Sequence, residues 1–270
     1  MRARLIACLT VLASCSQEVE TPKPLLETPA EAAPVAVSRT PLLRPASGIT
    51  IDNNGKRYIW ANNVGVQELT PDGWNTILSA QAVQTNTVFD IQDLAVLDDN
   101  RIALVAQNEG TVVSRQTAQA LNRFCYLPGS LQQQDRTAWQ LSRALAFDAS
   151  ENRLYVQPQT FTGFGTEATT SQLGLFDPAI SEPLEWQSFS DKNFAAGGMA
   201  VVSRQGTYLG AGSKLYRYNA AEKRFDKWWE LSGLSISNIE GLAADRTTNT
   251  LVVLDGARQE LVDLRLDEIQ

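Results

Sequence analysis

The chain contains no histidine. That absence excludes Ser-His-Asp and Cys-His catalysis, and with them histidine-ligated zinc and haem. It also removes the usual acid–base side chain working near neutral pH. No Ser-x-x-Lys spacing occurs, so a serine–lysine mechanism lacks its usual marker. Basic charge is thin: Lys and Arg number 23 against 30 Asp and Glu, for a net charge of −7, and no consecutive basic block appears. Nucleic acid and anionic lipid head groups, both held mainly by Lys and Arg, are therefore poor partners. Cysteine is scarce, with Cys8, Cys15 and Cys125 alone. The apolar run from Leu5 to Ala13 is too short to span a bilayer. What remains is ordinary for a globular protein that buries a real core, at 43% hydrophobic and 20% charged residues.

Residues 1–14 read as a secretion signal, with Arg2 and Arg4 as the positive n-region before the apolar run. The stretch Leu12-Ala13-Ser14-Cys15 resembles the lipobox of bacterial lipoproteins. The resemblance implies that the signal peptide is removed and that Cys15 becomes the first residue, its thiol carrying a diacylglycerol and the mature chain a palmitate-type membrane anchor. Ser16 after the cysteine, in place of Asp, implies the outer membrane, with the protein facing the periplasm. Losing Arg2 and Arg4 leaves 21 basic residues against 30 acidic ones, a net charge near −9. Cys8 then leaves with the signal and Cys15 is the lipid site, so no intrachain disulfide forms. Cys125, in Arg123-Phe124-Cys125-Tyr126-Leu127, reads as a buried, inert thiol on a strand.

Residues 15–45 form a Pro/Glu/Ala-rich tether that holds six of the 11 prolines. It cannot bury enough apolar area to offset ordering its backbone. At about 3 Å per residue, ~20 residues hold a domain several tens of ångströms from the membrane.

Past Pro45 short β-type runs recur. Gly48-Ile49-Thr50-Ile51-Asp52 is echoed by Asp93 to Leu97, Ala144 to Asp148, Gly198 to Val202 and Gly241 to Asp245. Each is followed, after a polar turn, by a second run such as Tyr58-Ile59-Trp60 or Leu251-Val252-Val253-Leu254. A spacing of about 45 to 55 residues means propeller blades or a solenoid. Third and fourth strands can be traced, as in Lys214 to Tyr218 and Lys227 to Leu231, and four antiparallel strands make a blade. The expected fold is thus all-β: a β-propeller over 46–270, five-bladed, or six-bladed should a unit hide after Leu127 or between Val156 and Leu173. The last unit runs out after three strands, and residues 35–43 are the candidate for its outermost strand.

The Gly-Φ-x-Φ-Asp…Tyr-Φ-Φ rhythm, with Φ apolar, resembles the NHL, SMP-30/gluconolactonase and YVTN-type propellers over residues 48 to 266. Those groups include enzymes, binders and scaffolds, so fold leaves function open. The resemblance implies ligands at one end of the central channel. Aligning the units puts Gln92, Arg143 and Glu240 at one level there, with Asp90 and Asn238 one step above. Asn238-Ile239-Glu240-Gly241-Leu242 is similar to the Glu-Gly signature of metal-dependent members, which implies Asp90, Asn238 and Glu240 as Ca²⁺ ligands. Arg143 puts a positive charge in the same ring, and Ser47 and Gly197 fill it in the first and fourth units. An Arg143–Glu240 pair lining the channel is the plainer reading; Arg143 receiving a carboxylate ligand lies between the two.

Gly163-Phe164-Gly165-Thr166-Glu167-Ala168 spells a dinucleotide fingerprint but lies between strands, with no helix to aim at phosphate. The surrounding loop, Gln157 to Gln172, offers Phe161 and Phe164 to a partner or to a blade edge. Trp228 and Trp229 must face opposite sides of a sheet; the expectation is that both pack between blades, and the alternative is that one is exposed as an interaction site.

The functional expectation is a non-enzymatic, membrane-anchored periplasmic lipoprotein, without cofactor, whose propeller binds an envelope protein or small ligand. The alternative is a calcium-dependent hydrolase or lactonase resembling the SMP-30 group, in which the cation polarises a carbonyl and activates water.

Overall fold

A computed structural model describes residues 32–83, 91–97, 101–106, 110–115, 124–126, 138–162, 168–177, 183–188, 196–202, 206–222 and 224–266. The polypeptide lays down β1 (Val35–Pro41) and then four complete antiparallel sheets in succession. The first holds β2 (Ala46–Ile51), β3 (Arg57–Ala61), β4 (Gly65–Thr70) and β5 (Gly73–Ser79). The second holds β6 (Ile91–Val96), β7 (Arg101–Ala106), β8 (Gly110–Arg115) and β9 (Phe124–Tyr126). The third holds β10 (Ala138–Asp148), β11 (Arg153–Thr162), β12 (Ala168–Phe176) and β13 (Pro183–Ser188). The fourth holds β14 (Gly198–Val202), β15 (Gly206–Ala211), β16 (Lys214–Asn219) and β17 (Arg224–Glu230). Only three strands are left for the end: β18 (Ile239–Asp245), β19 (Thr250–Asp255) and β20 (Glu260–Arg265). The fourth strand of that sheet is β1, which pairs antiparallel with β20 from Val35↔Arg265 to Pro41↔Glu260.

The innermost strands β2, β6, β10, β14 and β18 each lie against the next, and β18 lies against β2. The described residues thus form a β-propeller whose five sheets close into a ring. The recurring Asp at the end of an innermost strand has a local cause. Asp52 Oδ1 accepts the N–H groups of Asn54 (2.8 Å) and Lys56 (2.9 Å), Asp148 Oδ1 that of Ser150 (3.0 Å), and Asp245 Oδ1 that of Thr247 (3.0 Å). The carboxylate closes the turn into the second strand, which is why it repeats with the hairpin.

Apolar clusters hold neighbouring sheets together. Tyr208, Leu215 and Trp229 of the fourth sheet pack on Leu242, Leu251 and Val262 of the last. Ile49 and Ile59 of the first pack on Val252 and Leu254. Trp229 is buried, with its ring centroid 6.0 Å from that of Tyr208. Trp228 departs from the expected packing: it is only half-buried, and Lys214 Nζ sits 4.6 Å from its centroid. A lysine stem and ammonium thus cover this ring in place of a neighbouring blade.

The first and last sheets are also joined by charge. Arg57 Nη2 donates to Asp263 Oδ1 at 2.6 Å and to Asp245 Oδ2 at 3.4 Å, and its Nη1 donates to Asp263 Oδ2 at 3.2 Å. β1 is held mainly by its backbone and by polar contacts. Ser38 donates to Asp263, Arg39 reaches Glu260 and the Leu234 carbonyl, and the indole N–H of Trp229 donates to the Ala32 carbonyl at 3.0 Å. Its Val35 and Val37 side chains are exposed.

Candidate functional site

Gln92, Arg143 and Glu240 share a backbone feature that repetition alone does not reveal. Each is the residue at which the innermost strand slips register against its hairpin partner, between Ile91 and Asp93, Ser142 and Ala144, and Ile239 and Gly241. The first sheet slips one residue later, between Ser47 and Ile49. A bulge leaves one residue unpaired and re-aims the side chain beside it, and bulges gather at rims and sites. The upper mouth of the channel is therefore ringed by bulges.

A bulge also frees backbone N–H groups, and one carboxyl collects them. Asp93 Oδ1 accepts the N–H of Leu94 and Oδ2 that of Leu145, each at 2.9 Å, and Ile49 donates a further backbone bond. The three donors come from the first, second and third sheets. Asp93 is wholly buried; burial pushes its carboxyl well above the usual range, against the pull of those bonds. The other units carry Gly48, Ala144, Gly198 and Gly241 in its place. At Gly48, where φ is +73°, an added Cβ would lie 2.6 Å from Asp93 Cα, so the hub needs a glycine beside it.

Above this hub lie Asn238 and Glu240. Asn238 Nδ2 donates to Glu240 Oε1 at 2.8 Å. The Glu240 carboxyl rests face-on against Gly256: an added Cβ there would meet its Cδ at 2.0 Å and both oxygens at 2.3 Å. Beneath is Asp255, opposite Ile239 in the ladder and 0% exposed. Its Oδ1 accepts the N–H groups of Asn238 (3.3 Å) and Ala257 (3.1 Å), while its Oδ2 is buried without a hydrogen-bond partner. Burial pushes the Glu240 carboxyl up; the Asn238 bond opposes this and the charge of Asp255 adds to it.

Sequence reasoning missed Asp255. Its register equivalents, opposite Ala46, Ile91 and Ser142, are Ala61, Ala106 and Pro158. The available signal was a lone Asp at a position otherwise lacking charge. Of the expected residues, the structure brings Asn238 and Glu240 together and places Gln92, half-buried, at their level. Asp90, Cys15, Phe164 and the side chains of Arg143, Phe161 and Cys125 lie outside the described residues, as does an Arg143–Glu240 pair.

A calcium ion takes about six to eight oxygen ligands. Among the described residues no three His, Cys, Asp or Glu side chains gather to hold a metal. The described mouth offers the carboxylates of Asp255 and Glu240 and the amide oxygens of Asn238 and Gln92, four side chains of which the Asp255 carboxylate is wholly buried. This donor set by itself is short of what calcium needs.

The other end of the channel is different. A cavity of about 120 Å³ opens there between residues such as Thr50, Val96, Ala146, Val201 and Ala243. Arg246 of the last sheet donates across it to Asp148 of the third at 2.9 Å. Burial would raise the Asp148 carboxyl, but bonds from Ser150 and Arg246 hold it below its ordinary value.

No protein-family model and no curated protein matches the chain in sequence. Solved structures match in fold. The glutaminyl cyclase of Myxococcus xanthus is similar with a TM-score of 0.59 at 12% identity, over 89% of this chain and 99% of that one. A gluconolactonase from Xanthomonas campestris is similar with a TM-score of 0.52 at 14% identity, over 81% of this chain and 72% of that one. Both neighbours are enzymes by name. At these identities the likeness extends to the β-propeller fold alone.

Proposed function

We propose that this propeller is a non-catalytic binding module of the bacterial envelope, tethered through acylated Cys15 and facing the periplasm, that takes an envelope protein or small ligand at its upper channel mouth. The observation that carries this reading is the hydrogen bond between Asn238 and Glu240. That bond fixes the two side chains in one orientation and takes up one Glu240 oxygen, leaving fewer outward oxygens than a calcium ion draws on. The missing histidine and the lipobox-like leader are consistent with it.

The buried, unpartnered oxygen of Asp255 favours one second reading, the calcium-dependent hydrolase, because it adds a donor beneath Glu240. A thermal melt of the full chain carrying Cys15→Ser, with millimolar Ca²⁺ and then with EDTA, separates the two. A ligand at 100 times its Kd stabilises by about 2.7 kcal/mol, which a melt resolves. The binding-module reading expects coincident curves. An upward shift with calcium that Glu240→Ala abolishes would establish the metal site and redirect the search to lactones and phosphoesters. For the anchor, metabolic labelling with a fatty acid is expected to mark the wild type and to vanish in Cys15→Ala; label retained in that variant would refute lipidation at this residue.

A further inference from the structure

We propose that the upper channel mouth recognises a primary ammonium group, cupped by Asp255, Glu240 and Asn238. The inference rests on the reading of that mouth as a binding face and names the chemistry of its ligand. A primary ammonium carries three N–H donors and no acceptor, so its natural host is a cup of three oxygens with net negative charge.

The mouth supplies three. Asp255 Oδ2 is fully buried and has no partner. Its sister oxygen, tied to the N–H groups of Asn238 and Ala257, turns the carboxyl toward the Asn238–Glu240 segment. Glu240 has one oxygen occupied by the Asn238 N–H, which leaves Oε2. Asn238 spends its nitrogen on Glu240, which leaves Oδ1. Gly256 sets the position of the Glu240 carboxyl, since any side chain there would lift it away. Arg258, in the same turn, is exposed and makes no ion pair with the cluster, so the chain does not neutralise the mouth from within its own hairpin.

Charge decides between candidate guests. Two carboxylates close enough for Asp255 to raise Glu240 disfavour an anion and favour a cation. A guanidinium presents five donors in a flat fork, which needs a pair of parallel acceptors in one plane. A hard dication wants more oxygens than the three at hand. An ammonium matches both the count and the charge. Two sources share this chemistry, the amino terminus of a protein and a lysine side chain.

The test is a titration of the full chain carrying Cys15→Ser, isotopically labelled, at constant ionic strength, following the Asn238 side-chain amide by NMR. Three probes are used: a trialanine amide with a free amino terminus, the same peptide N-acetylated, and an N-acetylated peptide carrying one lysine. A saturable shift with one or both ammonium peptides, and none with the acetylated trialanine, is the expected result; which of the two binds identifies the source. Asp255→Asn is expected to weaken binding at least tenfold. Gly256→Ala, which displaces only the flexible end of Glu240, is expected to do the same with an unchanged melt, which a merely structural role would not give.

Equal binding of the acetylated peptide overturns the ammonium site while leaving the mouth a binding face. A calcium-induced shift of the same amide that Asp255→Asn abolishes overturns it in favour of a metal. No response to any peptide overturns it as well, and the calcium melt described above then decides the wider reading independently.

Discussion

Asp93→Ala is expected to be among the most damaging single substitutions in the ring, costing several kcal/mol. It strips the acceptor from the backbone N–H groups of Ile49, Leu94 and Leu145. A buried donor left unsatisfied costs about 1–3 kcal/mol. Three of them consume a large part of the ~5–15 kcal/mol by which a domain is stable. Urea unfolding of the wild type and the variant gives the comparison. A loss below 1 kcal/mol would show that water replaces the carboxyl and that the hub is dispensable.

Asp93→Asn separates hydrogen bonding from charge. The Asp93 carboxyl is raised in the folded protein, so the native state holds this proton more tightly than the unfolded chain. Its contribution is fully present below the unfolded value near pH 4 and is lost as pH rises through the raised value. Glu240 acts with the same sign. Asp148, Asp226 and Asp245 act with the opposite sign: burial pushes each up, but hydrogen bonds and a neighbouring arginine hold each below its ordinary value. Their contribution is present above pH 4 and is lost as pH falls. Melting temperature is thus expected to fall on both sides of a maximum, and Asp93→Asn to flatten the limb above pH 4 while leaving the acid limb intact. Parallel curves for the two proteins would sink the assignment.

Arg57→Ala is the second large effect. The guanidinium faces Asp245 and Asp263, both nearly buried, and removing it leaves two carboxylates with neutral donors such as Ser38 and Thr247 but no opposite charge. Breaking a buried pair from one side costs about 3–5 kcal/mol. The loss falls on the joint between the first and last sheets, so hydrogen exchange in β1, β2 and β20 is expected to quicken before that of β14 or β15. The double variant Arg57→Met with Asp263→Asn is expected to recover part of the stability, because it removes the stranded charge with the arginine. Uniform loosening of all five sheets would argue against a local joint.

The hairpin rhythm could be read from the sequence because it has a local cause. Asp52, Asp148 and Asp245 each cap the turn that follows their own strand, so chemistry and spacing repeat together. The partnership of Asn238 with Glu240 was likewise readable, because both belong to the entry of one innermost strand. What depends on register was not readable. The bulges at Gln92, Arg143 and Glu240 appear only when a strand is laid against its partner. Asp255 joins the site through that pairing, from 15 residues further along the chain than Glu240. The hub at Asp93 gathers N–H groups from three sheets, a convergence that no single stretch of chain encodes. Trp228 escaped for a similar reason: its cover is a lysine on the neighbouring strand.

The completion of the last sheet by β1 has a consequence for how the protein is made. Synthesis runs from the amino terminus, so Val35 to Pro41 emerge long before their partner β20. Until then the first-made strand has no mate, and the nascent ring offers open edges of the kind that pair promiscuously. The ring therefore closes only once β20 has been made, whichever sheets fold first. A pull on the chain ahead of Val35 is borne first by the β1–β20 ladder, which it peels one rung at a time.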